Sequence, residues 1–157
     1  MSGNQTTYQP HIDGLRAIAV LAVLLFHLEV PGFGGGFVGV DVFLVISGFL
    51  ITRLIEKEVR ETGSLRFGRF YLRRTRRIVP ALLATVVASM VVGALVLSTG
   101  ALRELGIEAA TSLASVSNIY FWLDADYFDA SARMKVLLHT WSLGVEEQFY
   151  LFAPAAL

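Results

Sequence analysis

The sequence contains no cysteine, which excludes disulfides and thiolate metal sites. Its three histidines are widely spaced, so no metal site is predicted. Charged residues are scarce, at 17% against roughly 25% in soluble domains. Hydrophobic residues make up 55%, and the mean hydropathy is +0.62. This composition predicts a membrane protein, and the zero net charge gives no indication of a nucleic-acid partner.

Long apolar runs predict an all-α fold, a polytopic bundle of helices that spans the lipid bilayer. About 20 apolar residues are usual for a span. We predict spans at residues 14–30, 37–55 and 78–97, with Pro80 in the first turn of the third. Residues 105–123 form either a fourth span or a partly inserted helix, and a further span begins at 145–157.

The first two predicted spans are joined by a glycine-rich bend, P-G-F-G-G-G at residues 31–36. Glycine tolerates positive φ angles, so this segment is suited to a tight turn. Small residues in the second span predict close approach of a neighbouring helix, namely Gly39, Ser47 and Gly48.

Positive charge is concentrated in one connection, because nine of the thirteen Lys and Arg residues lie between Arg53 and Arg77. Short loops rich in Lys and Arg remain in the cytoplasm. We therefore expect this connection and the N-terminus to be cytoplasmic and the bend to be outside. Aromatic residues recur among the arginines at helical spacing, which predicts an amphipathic interfacial helix leading into the third span.

Arg16 and His27 are ionisable residues in or beside the first span. They are eleven residues apart, which places them on one helix face about 16 Å apart along the axis. Ionisable groups in a span are candidates for function, although a snorkelling arginine and an incidentally bonded histidine are an alternative. Asp41 is expected near His27 across the bend, where a carboxylate would set the imidazole tautomer and raise its basicity. Alternatively, Asp41 caps the second helix.

Arg73, Arg74 and Arg77 form an R-R-x-x-R cluster at the predicted cytoplasmic edge. Positive-inside topology accounts for any single arginine. As a group they also provide guanidinium forks that bind phosphate or pyrophosphate.

Glu146 and Glu147 border the last apolar segment, close to Trp141 and Tyr150. A glutamate that enters the membrane must be paired or protonated. These residues are candidates for substrate binding, and an ordinary interfacial helix start is the alternative.

Several segments, taken together and in order, resemble the membrane acyltransferase-3 family of bacterial lipopolysaccharide, peptidoglycan and exopolysaccharide O-acetylases. The matching segments are HIDGLRAIAV at residues 11–20, GFVGVDVFLVISGFLIT at 36–52, FYLRRTRRIVPAL at 70–82 and HTWSLGVEEQFY at 139–150. Arg16 and His27 fit the Arg and His of the family's first helix.

The resemblance implies a core of about ten transmembrane helices in the bacterial cytoplasmic membrane, of which this chain would be the N-terminal half. It implies transfer of an acyl group, usually acetyl, from cytoplasmic acyl-CoA to a hydroxyl of an extracytoplasmic glycan or lipid-linked sugar. The expected partners are therefore this donor, this acceptor, the lipid bilayer and the C-terminal helices. No tightly bound cofactor is expected. The resemblance supports Arg16, His27 and Asp41 as catalytic, the arginine cluster as donor-binding and the glutamates as functional.

Two other hypotheses are consistent with the residues alone. In a transporter, His27 and Asp41 would relay protons, and the arginine cluster would serve topology only. The chain is alternatively an inactive fragment of a longer protein.

Overall fold

The computed structural model describes residues 10–124 and 135–156, with side chains as far as residue 153. All regular secondary structure in these residues is helical, so the predicted all-α class is confirmed. The helices are α1 (Pro10–His27), α2 (Val38–Thr62), α3 (Phe67–Val96), α4 (Thr99–Leu113), α5 (Ser117–Leu123) and α6 (Thr140–Ala156).

Three helices, α1, α2 and α3, are long and apolar enough to cross a membrane. They contain most of the three clearest predicted spans, and they identify the chain as a multi-pass membrane protein. Helix α6 begins at Thr140, five residues before the predicted start at 145, and residue 157 lies outside the described residues.

The structure forms two compact units, divided after Leu54. In the first unit, α1 ends in a motif typical of helix C-termini. Glu29 has a left-handed φ of 54°, and the Val30 N–H donates to the Leu25 carbonyl oxygen at 3.0 Å. Gly32, with φ of 93°, then turns the chain toward α2, as the glycine-rich bend predicts.

Helices α1 and α2 pack against each other through glycine. A Cβ atom added to Gly36 would lie 2.2 Å from the carbonyl oxygen of Ala22, and one added to Gly39 would lie 2.3 Å from that of Ala19. No side chain fits at these distances, so the backbones meet directly. The close approach predicted at Gly39 is therefore observed, and Gly36 extends it into the bend.

The second unit is organised around α3, a single helix of 30 residues. The helix predicted to lead into the third span is observed, because the arginine-rich residues continue into the spanning helix without a break. Pro80 accordingly lies inside the helix and not in its first turn. Glu58 of α2 ties down the start of α3, since its two oxygens accept from the Arg66 N–H at 3.3 Å and from Arg73 Nη2 at 3.2 Å.

Residues 105–123 do not form one continuous helix. The chain breaks between α4 and α5, where Ser115 adopts a left-handed φ of 58°. At 15 and seven residues, neither helix has the length of a usual span. Helix α4 packs on α3 through the buried Leu82, Val86 and Leu105.

A buried polar cluster fixes the start of α6. Glu108 Oε2 accepts from the Leu137 N–H at 2.9 Å, and Ser112 Oγ lies 2.7 Å from Thr140 Oγ1. Ser117 Oγ donates to the Thr140 carbonyl oxygen at 2.8 Å. Because α4, α5 and the segment before α6 all contribute, the cluster sets where α6 lies against the other two helices.

Candidate functional site

His27 is the last residue of α1, and its ring is oriented by its own helix. Its Nδ1 lies 2.8 Å from the carbonyl oxygen of Val23. A carbonyl oxygen can only accept, so Nδ1 carries a proton, and in the neutral imidazole Nε2 then presents a lone pair. The side chain is exposed within the described residues. This arrangement provides an imidazole with a defined tautomer and an available basic nitrogen.

Asp41 is not brought to His27. No hydrogen bond or ion pair joins the two side chains in the part of the chain that the structure describes. Gly39 faces α1 beside Ala19, and Asp41, two residues later, is turned by about 200° to the other side of α2. The same register puts Asp41 roughly 15 Å from His27 along the helix axis. The predicted contact is wrong, because α2 starts well back along α1 and not level with its end.

Arg16 contacts α2 from the first half of α1. Its guanidinium carbon lies 5.0 Å from the centroid of the Phe43 ring, within the range of a cation–π interaction. Phe43 is four residues after Gly39 and therefore lies on the same face of α2. The glycine crossing thus places Arg16 against an aromatic ring. Its predicted catalytic role stays a prediction.

The three arginines of the R-R-x-x-R cluster have different surroundings. Arg73 pairs with Glu58 at 3.2 Å and is half exposed, whereas Arg74 is largely buried and turned toward α6. Arg77 is exposed. Successive residues on a helix differ by about 100°, so Arg73 and Arg77 share a face, and Arg74 points to another. The three guanidinium groups therefore do not face one common binding site.

Arg74 forms a compact cluster with two of the predicted residues on α6. Its Nη2 lies 3.4 Å from Glu146 Oε1, and its guanidinium carbon lies 3.2 Å from the centroid of the Tyr150 ring. The Tyr150 hydroxyl donates to the same Glu146 oxygen. A second hydrogen bond joins α3 to α6, in which the Tyr71 hydroxyl donates to the Leu151 carbonyl oxygen at 3.1 Å.

A cavity of about 250 Å³ adjoins this cluster, between α3, α6 and the break that separates α4 from α5. Arg74, Glu147 and Tyr150 are among its lining residues. Glu147 Oε1 is buried and has no hydrogen-bond partner among the described residues. A buried carboxylate oxygen beside an open cavity can accept from a ligand N–H or O–H. Trp141 is half buried and is not among the described residues that line this cavity.

Sequence reasoning missed residues that shape the cavity. Gln148 Nε2 donates to the Ser115 carbonyl oxygen at 3.0 Å and to Asn118 Oδ1 at 2.9 Å. In the reverse direction, Asn118 Nδ2 donates to Gln148 Oε1 at 3.1 Å. The position of Gln148 inside the V-E-E-Q-F-Y motif was a usable signal. Ser115 and Asn118 carried none, because the break between α4 and α5 leaves no mark in composition.

Comparisons with known proteins agree with these motifs. A family model described as an acyltransferase domain matches residues 10–157. The peptidoglycan O-acetyltransferase OatA of Listeria monocytogenes is 41% identical over 151 residues, which cover 96% of this chain and 24% of that protein. The O-acetyltransferase OatA of Staphylococcus aureus strain NCTC 8325 is 38% identical over 151 residues, covering 96% and 25% respectively.

A protein of S. aureus strain MSSA476, provisionally named as an O-acetyltransferase, is 43% identical over 153 residues, covering 96% of this chain and 25% of its own length. The chain thus spans about a quarter of the length of these curated relatives. No solved structure matches it.

Proposed function

Because the chain belongs to the acyltransferase-3 family, we propose that the complete protein is a membrane O-acyltransferase. It moves an acyl group, with acetyl as the leading candidate, from cytoplasmic acyl-CoA to a hydroxyl of a cell-envelope glycan. The match of residues 10–157 to the family model is the observation that carries this proposal. The membrane-spanning helices support it, because a protein that crosses the bilayer can reach a donor on one side and an acceptor on the other.

Peptidoglycan is the first acceptor to test. The support is the Listeria relative, which is named for that glycan and shares 41% identity with 96% of this chain. Other envelope glycans and lipid-linked sugars offer the same hydroxyl chemistry.

His27 is the proposed general base. Its Nε2 takes the proton from the acceptor hydroxyl as that oxygen attacks the thioester carbonyl carbon. A C–O bond forms, the C–S bond breaks, and the proton passes through His27 to the departing thiolate. The bond from Nδ1–H to the Val23 carbonyl oxygen holds the ring in the tautomer that this step requires.

The donor is proposed to approach from the cytoplasm. The support is the charge pattern, since the nine basic residues between Arg53 and Arg77 favour a cytoplasmic connection. Arg77 is exposed, and Arg73 is half exposed on the same face of α3, so both can reach donor phosphates. The same pattern supports a cytoplasmic N-terminus, and the bacterial relatives support a location in the bacterial cytoplasmic membrane.

The cavity lined by Arg74 and Glu147 is the proposed site for a hydrogen-bonding portion of a substrate. Its support is the buried, unpartnered Glu147 oxygen beside about 250 Å³ of open space. Carboxylates accept hydrogen bonds from hydroxyl and amide groups. Acyl-CoA and the glycan both contain such groups.

The test uses the full-length protein purified into lipid, radiolabelled acetyl-CoA and a peptidoglycan fragment. We expect label in the glycan as a base-labile ester, and we expect His27→Ala to abolish it while leaving membrane insertion unchanged. Wild-type protein that transfers no label to peptidoglycan or to other envelope glycans would overturn the function. Flux of protons or solute without ester formation would indicate a transporter.

A further inference from the structure

The Arg74–Glu146–Tyr150 cluster has a geometry that does not suit a phosphate clamp. Bidentate recognition of phosphate needs an open guanidinium fork. Here one face of the guanidinium group lies over the Tyr150 ring, and Nη2 is directed at Glu146. The side chains of Arg74 and Glu146 are only 17% and 15% exposed. The charge of Arg74 is thus already neutralised inside the protein.

We propose that Arg74 is a positioning residue, which holds α6 so that the Glu147 carboxylate faces the substrate cavity. Arg74 fixes Glu146 and Tyr150, which lie one turn apart on α6. This prevents α6 from rotating about its own axis. Glu147 follows Glu146 directly, so its direction is set by the same contact. The inference rests on the proposed acyl transfer and deepens it.

Two further contacts support a positioning role. Tyr71, three residues before Arg74, binds the backbone of α6 at Leu151. From the break between α4 and α5 and from the start of α5, Ser115 and Asn118 hold Gln148 of the same helix. Glu147 therefore lies on a helix restrained from two sides, whereas its own Oε1 makes no hydrogen bond within the described residues. An anchored helix with one carboxylate oxygen free of hydrogen bonds from the described residues is suited to orient an N–H or O–H group of a bound substrate.

The experiment measures kcat, and KM for acetyl-CoA, in the full-length protein in lipid. We expect Arg74→Ala and Glu146→Ala each to lower kcat roughly 10²-fold, as misplacement of a positioned group can do, with donor KM within about twofold of wild type. Removing both should cost no more than removing one, because each change breaks the same contact. Arg76→Ala is the matched control, an exposed arginine two residues further along α3 that should retain wild-type activity.

The charge-reversed pair Arg74→Glu with Glu146→Arg provides a rescue test. We expect the pair to recover at least about tenfold of the kcat that either reversal alone loses. A donor KM that rises in Arg74→Ala while kcat is retained would identify a phosphate clamp and overturn positioning. So would a reversed pair that folds and is no more active than Arg74→Glu.

Conservative variants decide the question if the alanine or reversed variants do not fold. Tyr150→Phe keeps the ring beneath the guanidinium group and removes only the hydroxyl bond, and Glu146→Gln removes only the charge. We expect kcat to fall about tenfold in each with donor KM unchanged. Wild-type kcat in both would overturn the proposal. Activity of wild type and Arg76→Ala establishes acyl transfer independently, so failure of the positioning role is distinct from failure of the proposed function.

Discussion

At the scale of single side chains, His27 and Asp41 show that residue types alone do not predict which groups pair. A histidine before a bend and an aspartate after it indicate a pair, but pairing depends on helix register. The Gly39–Ala19 contact sets that register and turns Asp41 away from α1. The ring of His27 is instead oriented by the backbone of Val23, a partner present in any helix and therefore invisible in the sequence.

The first prediction separates these two residues by activity. We expect His27→Ala to lower acyl transfer by about 10³-fold, within the usual range for loss of a general base. Asp41→Asn should lower it by less than about tenfold, because Val23 and not Asp41 orients the ring. The measurement is the initial rate of ester formation from labelled acetyl-CoA. Equal losses in the two variants would contradict the observed register.

At the scale of helices, the α1–α2 crossing depends on the absence of side chains. A methyl group at Gly39 would meet the Ala19 carbonyl oxygen at 2.3 Å and the Val23 side chain at 2.9 Å. We therefore expect Gly39→Ala to lower the free energy of unfolding by about 1–3 kcal/mol, as overpacking typically does. Thermal unfolding in detergent measures this change.

Gly34→Ala is the control for this substitution. Gly34 lies in the bend, and a Cβ atom there meets nothing within 4 Å. The control should unfold at the wild-type temperature. An equal loss in both variants would show that the bend, and not the crossing, is sensitive to added volume.

The link between α4 and the start of α6 provides the next prediction. In Glu108→Ala the buried Leu137 N–H loses its acceptor, which we expect to cost about 1–3 kcal/mol of unfolding free energy. Glu108→Gln retains an acceptor oxygen and should lose less. Glu104→Ala, exposed on the same helix, should change the unfolding temperature little. A Glu108→Ala protein as stable as wild type would contradict the role given to this bond.

Helix existence could be predicted from the sequence better than helix extent. Apolar runs of about span length predicted α1, α2 and α3 because lipid-facing helices need continuous hydrophobic residues. Their ends differed because arginine is a good helix former, so α3 continues through the arginine-rich segment. The division of residues 105–123 into α4 and α5 depends on the left-handed Ser115 and on tertiary contacts, which no periodicity reports.

At the scale of the whole molecule, the positive-inside pattern predicts topology. The chain has no cysteine of its own, so single cysteines introduced into a cysteine-free full-length protein report their side of the membrane. We expect a membrane-impermeant maleimide to label Gly34→Cys in intact spheroplasts and Ser64→Cys only after permeabilisation. The opposite pattern would reverse the proposed orientation.

The candidate site was predicted in part because its chemistry is carried by unusual residues. Arginine and glutamate beside apolar segments are conspicuous, and Arg74, Glu146 and Tyr150 do meet. The predictions could not tell that Arg74 differs from Arg73 and Arg77. That distinction depends on which neighbouring helix each faces, and it appears only when α3, α6 and the break before α5 are assembled.

The Arg74–Glu146 contact has a consequence for biosynthesis. The chain is made from its N-terminus, so α3 is synthesised before α6. Burying an ionised side chain without a partner costs several kcal/mol, wherever in the protein it lies. When Glu146 leaves the ribosome, its cationic partner is already available on α3, and the two charges can enter the bundle together. With the two segments exchanged in the gene, the carboxylate would have to enter before its partner existed. The contact that shapes the cavity thus favours a chain order in which α3 precedes α6.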